Sequence, residues 1–100
     1  MSKIEDIVKE METYKNNLRQ FLVYDYDVGG LVSKSIKNFE EAQILLNKAT
    51  AESIKEALVK VKTVMETVSP YVSYVPGEDR ALALEMMRAL NSLIEKISQL

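Results

Sequence analysis

Residues 51–68, AESIKEALVKVKTVMETV, decide how the chain folds. The middle of the stretch, Val59-Lys60-Val61-Lys62-Thr63, alternates apolar and polar side chains as a strand does, and it is rich in β-branched residues. Yet Ile54, Ala57, Leu58, Val61, Val64, Met65 and Val68 keep a helical rhythm and share one face at about 100° per residue. The helical period accounts for more residues and leaves only Val59 off the stripe. A lone two-stranded unit would also be marginal in such a chain. The segment therefore reads as a helix over residues 51–69. Thr50 starts it, because a threonine oxygen can accept from the free N–H groups of a first helical turn.

Two courses fit the end of this helix. Pro70 has no N–H and would clash with the carbonyl of Glu66, which favours a stop. Tyr71, Val72 and Val75 nevertheless stay in phase with the stripe, and Pro70 falls on the polar side. A helix kinked at Pro70 and continuing to residue 75 fits equally. Pro76-Gly77 then ends the segment.

The same period extends outward in both directions. Ile4, Ile7, Met11, Tyr14, Leu18 and Phe21 form a stripe over residues 3–24, widened by Val8 and Leu22. Lys15 is the one charge close to a stripe. Its stem is expected to lie on apolar surface with the ammonium in water. Val32, Ile36, Phe39, Ala42 and Leu46 mark a helix over residues 28–48, with Asp27 as the expected N-cap. Leu82, Met86, Ala89, Leu90, Leu93, Ile97 and Leu100 mark a fourth over residues 79–99, with Asp79 as a plausible cap. Ala83, Met87 and Ile94 widen that last arc to about 160°, broader than its counterparts in the first and third helices. Four helices of similar length with short connections predict an all-α fold, an antiparallel up-down four-helix bundle, in one domain over residues 1–100.

Composition narrows the chemistry. The 100 residues carry a formal net charge of −2, so no overall field steers the chain to nucleic acid or an anionic membrane. With no cysteine there is no disulfide and no thiol nucleophile, and with no histidine the commonest general base and metal ligand are missing. The polar, acidic start Met1–Asp6 does not read as a signal peptide, and no apolar run has the length of a membrane span. The expectation is a cytoplasmic protein. A chain rich in Lys, Glu, Val and Tyr without Cys or His also suits a thermophile.

Known site motifs fail on inspection. Asp25-x-Asp27-x-Gly29-Gly30 begins like a calcium loop, but the twelfth position is Ile36 where glutamate is needed. Residues 29–35, GGLVSKS, place Ser33 where a phosphate loop needs glycine before its lysine. A di-iron bundle needs Glu-x-x-His pairs, and there is no histidine. No metal, cofactor or catalytic residue is therefore expected, and the chain reads as a non-enzyme.

Two surfaces remain. Up-down topology puts the first and third connections at one end, gathering Tyr24, Tyr26, Tyr71 and Tyr74 with Asp25, Asp27, Glu78 and Asp79. Tyrosine suits binding surfaces, although the same rings could simply cap the bundle. On the fourth helix, Leu84 lies outside the stripe, with Met87 and Ile94 at its edge, where a second helix could dock. These features predict an interaction protein: a small accessory or adaptor subunit that binds a protein partner, or a homo-oligomer. The alternative is an accessory subunit of a nucleic-acid-processing machine, polymerase-like or ribonucleoprotein. Lys34, Lys37, Lys55 and Lys62 would then touch phosphates, with nucleic acid bound only as part of that complex.

Overall fold

The structure is a computed structural model describing residues 3–23, 30–70 and 77–100. They form four helices: α1 (Lys3–Val23), α2 (Leu31–Lys48), α3 (Ala51–Val68) and α4 (Glu78–Ser98). No described residue is in a strand, so the alternating run at Val59–Thr63 is helical. Val59 itself is 63 % exposed, which is the cost of that alternation once the helix forms.

Cross-helix contacts give the directions. Val8 and Glu12 of α1 meet Gln43 of α2, and further along α1 Lys15 meets Glu40 further back on α2. Glu41 of α2 pairs with Lys60 of α3, across a connection of only two residues. Glu10 of α1 pairs with Lys96 of α4. Each helix thus runs antiparallel to those it touches. α1 packs on α2, α2 on α3, α3 on α4, and α4 closes against α1, with no contact across the diagonals among the described residues. This is the up-down bundle.

The stripes meet in one core. Ile7, Met11, Tyr14 and Leu18 come from α1, with Val32, Phe39, Ala42 and Leu46 from α2. Ala57, Val61, Val64 and Val68 come from α3, and Ala83, Met86, Leu90, Leu93 and Ile97 from α4. Helices of 18 to 21 residues are marginal alone in water. Each fully buried Leu, Ile, Met or Phe contributes about 2 kcal/mol, so the shared core holds the four together.

The seams are not equal. α2 and α3 approach most closely, and the other three seams are all wider. Small residues explain the closeness. Ser35 and Ala42 on α2, and Ser53 and Ala57 on α3, are all buried, and side chains of that size let helix axes draw together. The connection between these helices is well capped. The Thr50 Oγ1 accepts from the Ser53 N–H at 3.0 Å, and the Ser53 Oγ accepts from the Thr50 N–H at 3.1 Å.

Three expectations about local structure are corrected. α2 begins at Leu31 with Gly30 as its N-cap at φ 73°, not at residue 28 with Asp27 as cap. That left-handed entry suits glycine, which has no Cβ to clash. α4 begins at Glu78 after Gly77, at φ 55°, so Asp79 is inside the helix and does not cap it. Lys15 does not hold its ammonium in water. The residue is only 4 % exposed, and its Nζ lies 2.7 Å from Glu12 Oε1 and 4.0 Å from Glu40 Oε2. α3 ends at Val68 with Ser69 as its C-cap, the Ser69 N–H still donating to the Met65 carbonyl at 2.9 Å. Residues 71–76, over which a kinked continuation would run, lie outside the described residues.

Candidate functional site

The predicted patch on α4 sits beside the core stripe. Leu84, Met87 and Ile94 share one side of the helix at spacings of three and seven. Leu84 is 41 % exposed, while Met87 and Ile94 are half-buried against the core. The opposite side of α4, with Ala89, Ser92 and Lys96, lines a cleft against α1. The patch therefore looks toward α3.

α3 answers it with a row from the margin of its own apolar face. Ile54, Leu58 and Met65 are only half-buried. Lys60, on the other side of α3, pairs with Glu41 of α2 at 2.7 Å, so the Ile54–Leu58–Met65 row is the one turned to α4. The seam between α3 and α4 is thus apolar on both sides. The one signal for it in the sequence was the width of the α4 arc.

The seam between α1 and α4 has the opposite character. A cleft of about 570 Å³ is lined by Lys3, Asp6, Lys9, Glu10, Lys96 and Gln99, with Ile7 at its floor. A neighbouring cleft reaches Tyr14 between Thr13, Asn17 and Ser92. The Tyr14 ring is buried and lies 4.8 Å from that of Phe39 with the planes at 42°. Its hydroxyl has no hydrogen-bond partner among the described residues. Burial pushes its phenol well above the ordinary tyrosine range.

Between α1 and α2 lies a compact polar cluster. The Gln43 Nε2 donates to the Val8 carbonyl and to Glu12 Oε1, both at 3.2 Å. The hydrogen bond from Lys15, then that from Gln43, holds the Glu12 carboxyl below its usual range. This arrangement ties α1 to α2, while the Glu12 and Glu40 side chains each keep 54 % of their surface exposed.

Lys34, Lys37, Lys55 and Lys62 are all exposed, but they do not share a face. Lys34 and Lys37 stand on the outer side of α2. Lys37 precedes Glu41 by one turn and helps lower that carboxyl, though less than Lys60 does. Lys55 and Lys62 lie on the half of α3 turned to α4. Tyr24, Tyr26, Tyr71 and Tyr74 lie outside the described residues, although the helix ends leading to them are at one end of the bundle. Among the described residues no group of acids is placed to hold a metal ion, and no helix is long and apolar enough to cross a membrane. The chain matches no protein-family model, no curated protein and no solved structure.

Proposed function

We propose that this is a non-enzymatic interaction protein, a small accessory or adaptor subunit that docks a protein partner on α4. Tyr24, Tyr26, Tyr71 and Tyr74, in the two connections, are the second set of side chains this reading assigns to the partner. The reading is carried by Leu84, which holds 41 % of its surface in water next to half-buried Met87 and Ile94. A leucine at such a position, continuous with apolar neighbours, offers area that a partner's side chains can bury. The cysteine-free composition fits a cytoplasmic setting. Self-association through the same surface is the variant of this reading that sedimentation tests.

Co-purification of the tagged chain from its native extract, with and without nuclease, is the test. A stoichiometric protein partner that survives nuclease and is lost from the Leu84→Glu variant supports the proposal. A clean monomer with nothing attached removes it. A second reading, an accessory subunit in a nucleic-acid-processing machine, draws on the exposed Lys34, Lys37, Lys55 and Lys62. In that case recovery depends on nucleic acid, falls with salt, and is weakened by changing the four lysines to glutamate.

A further inference from the structure

Resting on that reading, we infer that the α3–α4 seam is a groove for an acidic amphipathic helix of a different protein. Its floor is apolar: Ile54, Leu58 and Met65 lie on the side of α3 turned to α4, and Leu84, Met87 and Ile94 on the side of α4 turned to α3. A groove of this kind takes the apolar stripe of a partner helix and leaves that helix's flanks over the groove margins.

The margins identify the flanks. Lys55 and Lys62 lie just outside Leu58 on α3, and Arg80 and Arg88 lie beside and just outside Leu84 on α4. All four are exposed, and the acids on the same margins are Glu66 and Glu95. Four cations against two acids leave this surface basic on a chain whose net charge is −2.

The other seams are closed by ion pairs of their own. Lys15 reaches Glu40 across α1–α2, Lys60 reaches Glu41 across α2–α3, and Lys96 reaches Glu10 across α1–α4. Across α3–α4 there is none among the described residues, and none of the four marginal cations enters an ion pair there. Unpaired cations along an apolar groove select carboxylates on the incoming helix and repel a basic one. A second copy of the chain is disfavoured, because a two-fold contact through this face sets basic margins against each other. Phosphates would match the cations but gain nothing from Leu84, Met87 and Leu58.

The test uses two peptides as long as α4, with the same leucine stripe and either Glu and Gln or Lys and Gln elsewhere. Binding to the full chain is read by fluorescence polarisation. The Glu peptide is expected to bind at least about tenfold tighter than the Lys peptide and to weaken with added salt. A Lys55→Glu, Lys62→Glu, Arg88→Glu variant should reverse the preference, and Leu84→Gln, which removes apolar surface without adding charge, should weaken both peptides, with helicity by circular dichroism unchanged. Equal affinity for the two peptides, or no binding of the Glu peptide, overturns the inference. So does displacement by a single-stranded oligonucleotide at equal concentration, or a dimer in sedimentation that Leu84→Glu dissolves. A natural partner that is lost on Leu84→Glu but indifferent to the charge reversal leaves the proposed function standing and overturns only the acidic-helix inference.

Discussion

Lys15 and Glu12, three residues apart on α1, form an ion pair with one end in the protein and the other in water. The lysine side chain is 5 % exposed and the glutamate 54 %, with 2.7 Å between them. The cation has therefore lost nearly all its water, and Glu12 is its nearest compensation. Removing the anion alone, as in Glu12→Ala, should cost about 2 kcal/mol, since Glu40 is 4.0 Å away and replaces it poorly. Lys15→Met removes the buried charge together with its need for a partner and should be neutral or stabilising. Urea denaturation of both variants checks this. A Glu12→Ala midpoint equal to wild type would mean the ammonium is solvated after all.

The same pair contributes to the acid limb of stability, as Glu41 with Lys60 also does. The Glu12 carboxyl is held below its ordinary value of 4.5, first by the Lys15 hydrogen bond, so the folded state binds its proton less readily than the unfolded one. Its contribution is complete above the unfolded value and is lost as pH falls through the folded value. Stability should decline below about pH 4.5, and less steeply in Glu12→Gln. Thermal melts from pH 7 to pH 3 measure both slopes.

Tyr14→Phe should stabilise the protein. The change removes a buried hydroxyl that has no partner among the described residues and keeps the ring against Phe39. An unpaired buried hydroxyl costs about 1–3 kcal/mol, so a gain of about 1 kcal/mol is expected. The raised phenol adds an alkaline signature. Its contribution to stability is full below the unfolded value, near pH 10, and is lost as pH rises toward the higher folded value. Tyr14→Phe should therefore resist alkaline unfolding better than wild type, as read by circular dichroism.

The α2–α3 connection carries one strained residue and one strong cap. Ala49 sits at φ 56° and ψ 28°, a left-handed conformation that costs an L-residue about 1 kcal/mol. Ala49→Gly should raise the melting temperature by a few degrees. Thr50→Ala breaks the capping box and should cost about 1 kcal/mol. Opposite shifts from adjacent residues would show that backbone geometry, not exposure, governs this turn.

Amide exchange should rank the helices. α2 and α3 pack closest through Ser35, Ala42, Ser53 and Ala57, while α1 and α4 meet each other across a wider seam. Protection should be greatest in the middle of α2 and α3, and α1 and α4 should open at lower free energy. Uniform protection across the four helices would argue that the bundle opens only as a unit.

Sequence alone determined the four helices among the described residues, their stripes, the Thr50 start of α3 and the outward place of Val59. The 3.6-residue period is local, so Ile7, Met11, Phe39, Val61, Leu90 and Ile97 had to share a buried side if any bundle formed. What only the tertiary structure decided is what covers the edges of those stripes. Lys15 lies at such an edge, and it is buried where α2 packs on α1, with Glu40 4.0 Å from its Nζ and Gln43 bonded to its partner Glu12. Ser35 and Ser53 are buried because α2 and α3 draw close. Ile54, Leu58 and Met65 lie at an edge as well, on the side of α3 turned to α4, and they stay only partly buried. Nor could a cap be chosen by residue type alone at Asp27, since Gly30 lets the chain turn into α2 from a left-handed conformation. A helix's own sequence specifies which side is apolar, but the distance to its neighbour specifies how much of that side meets water.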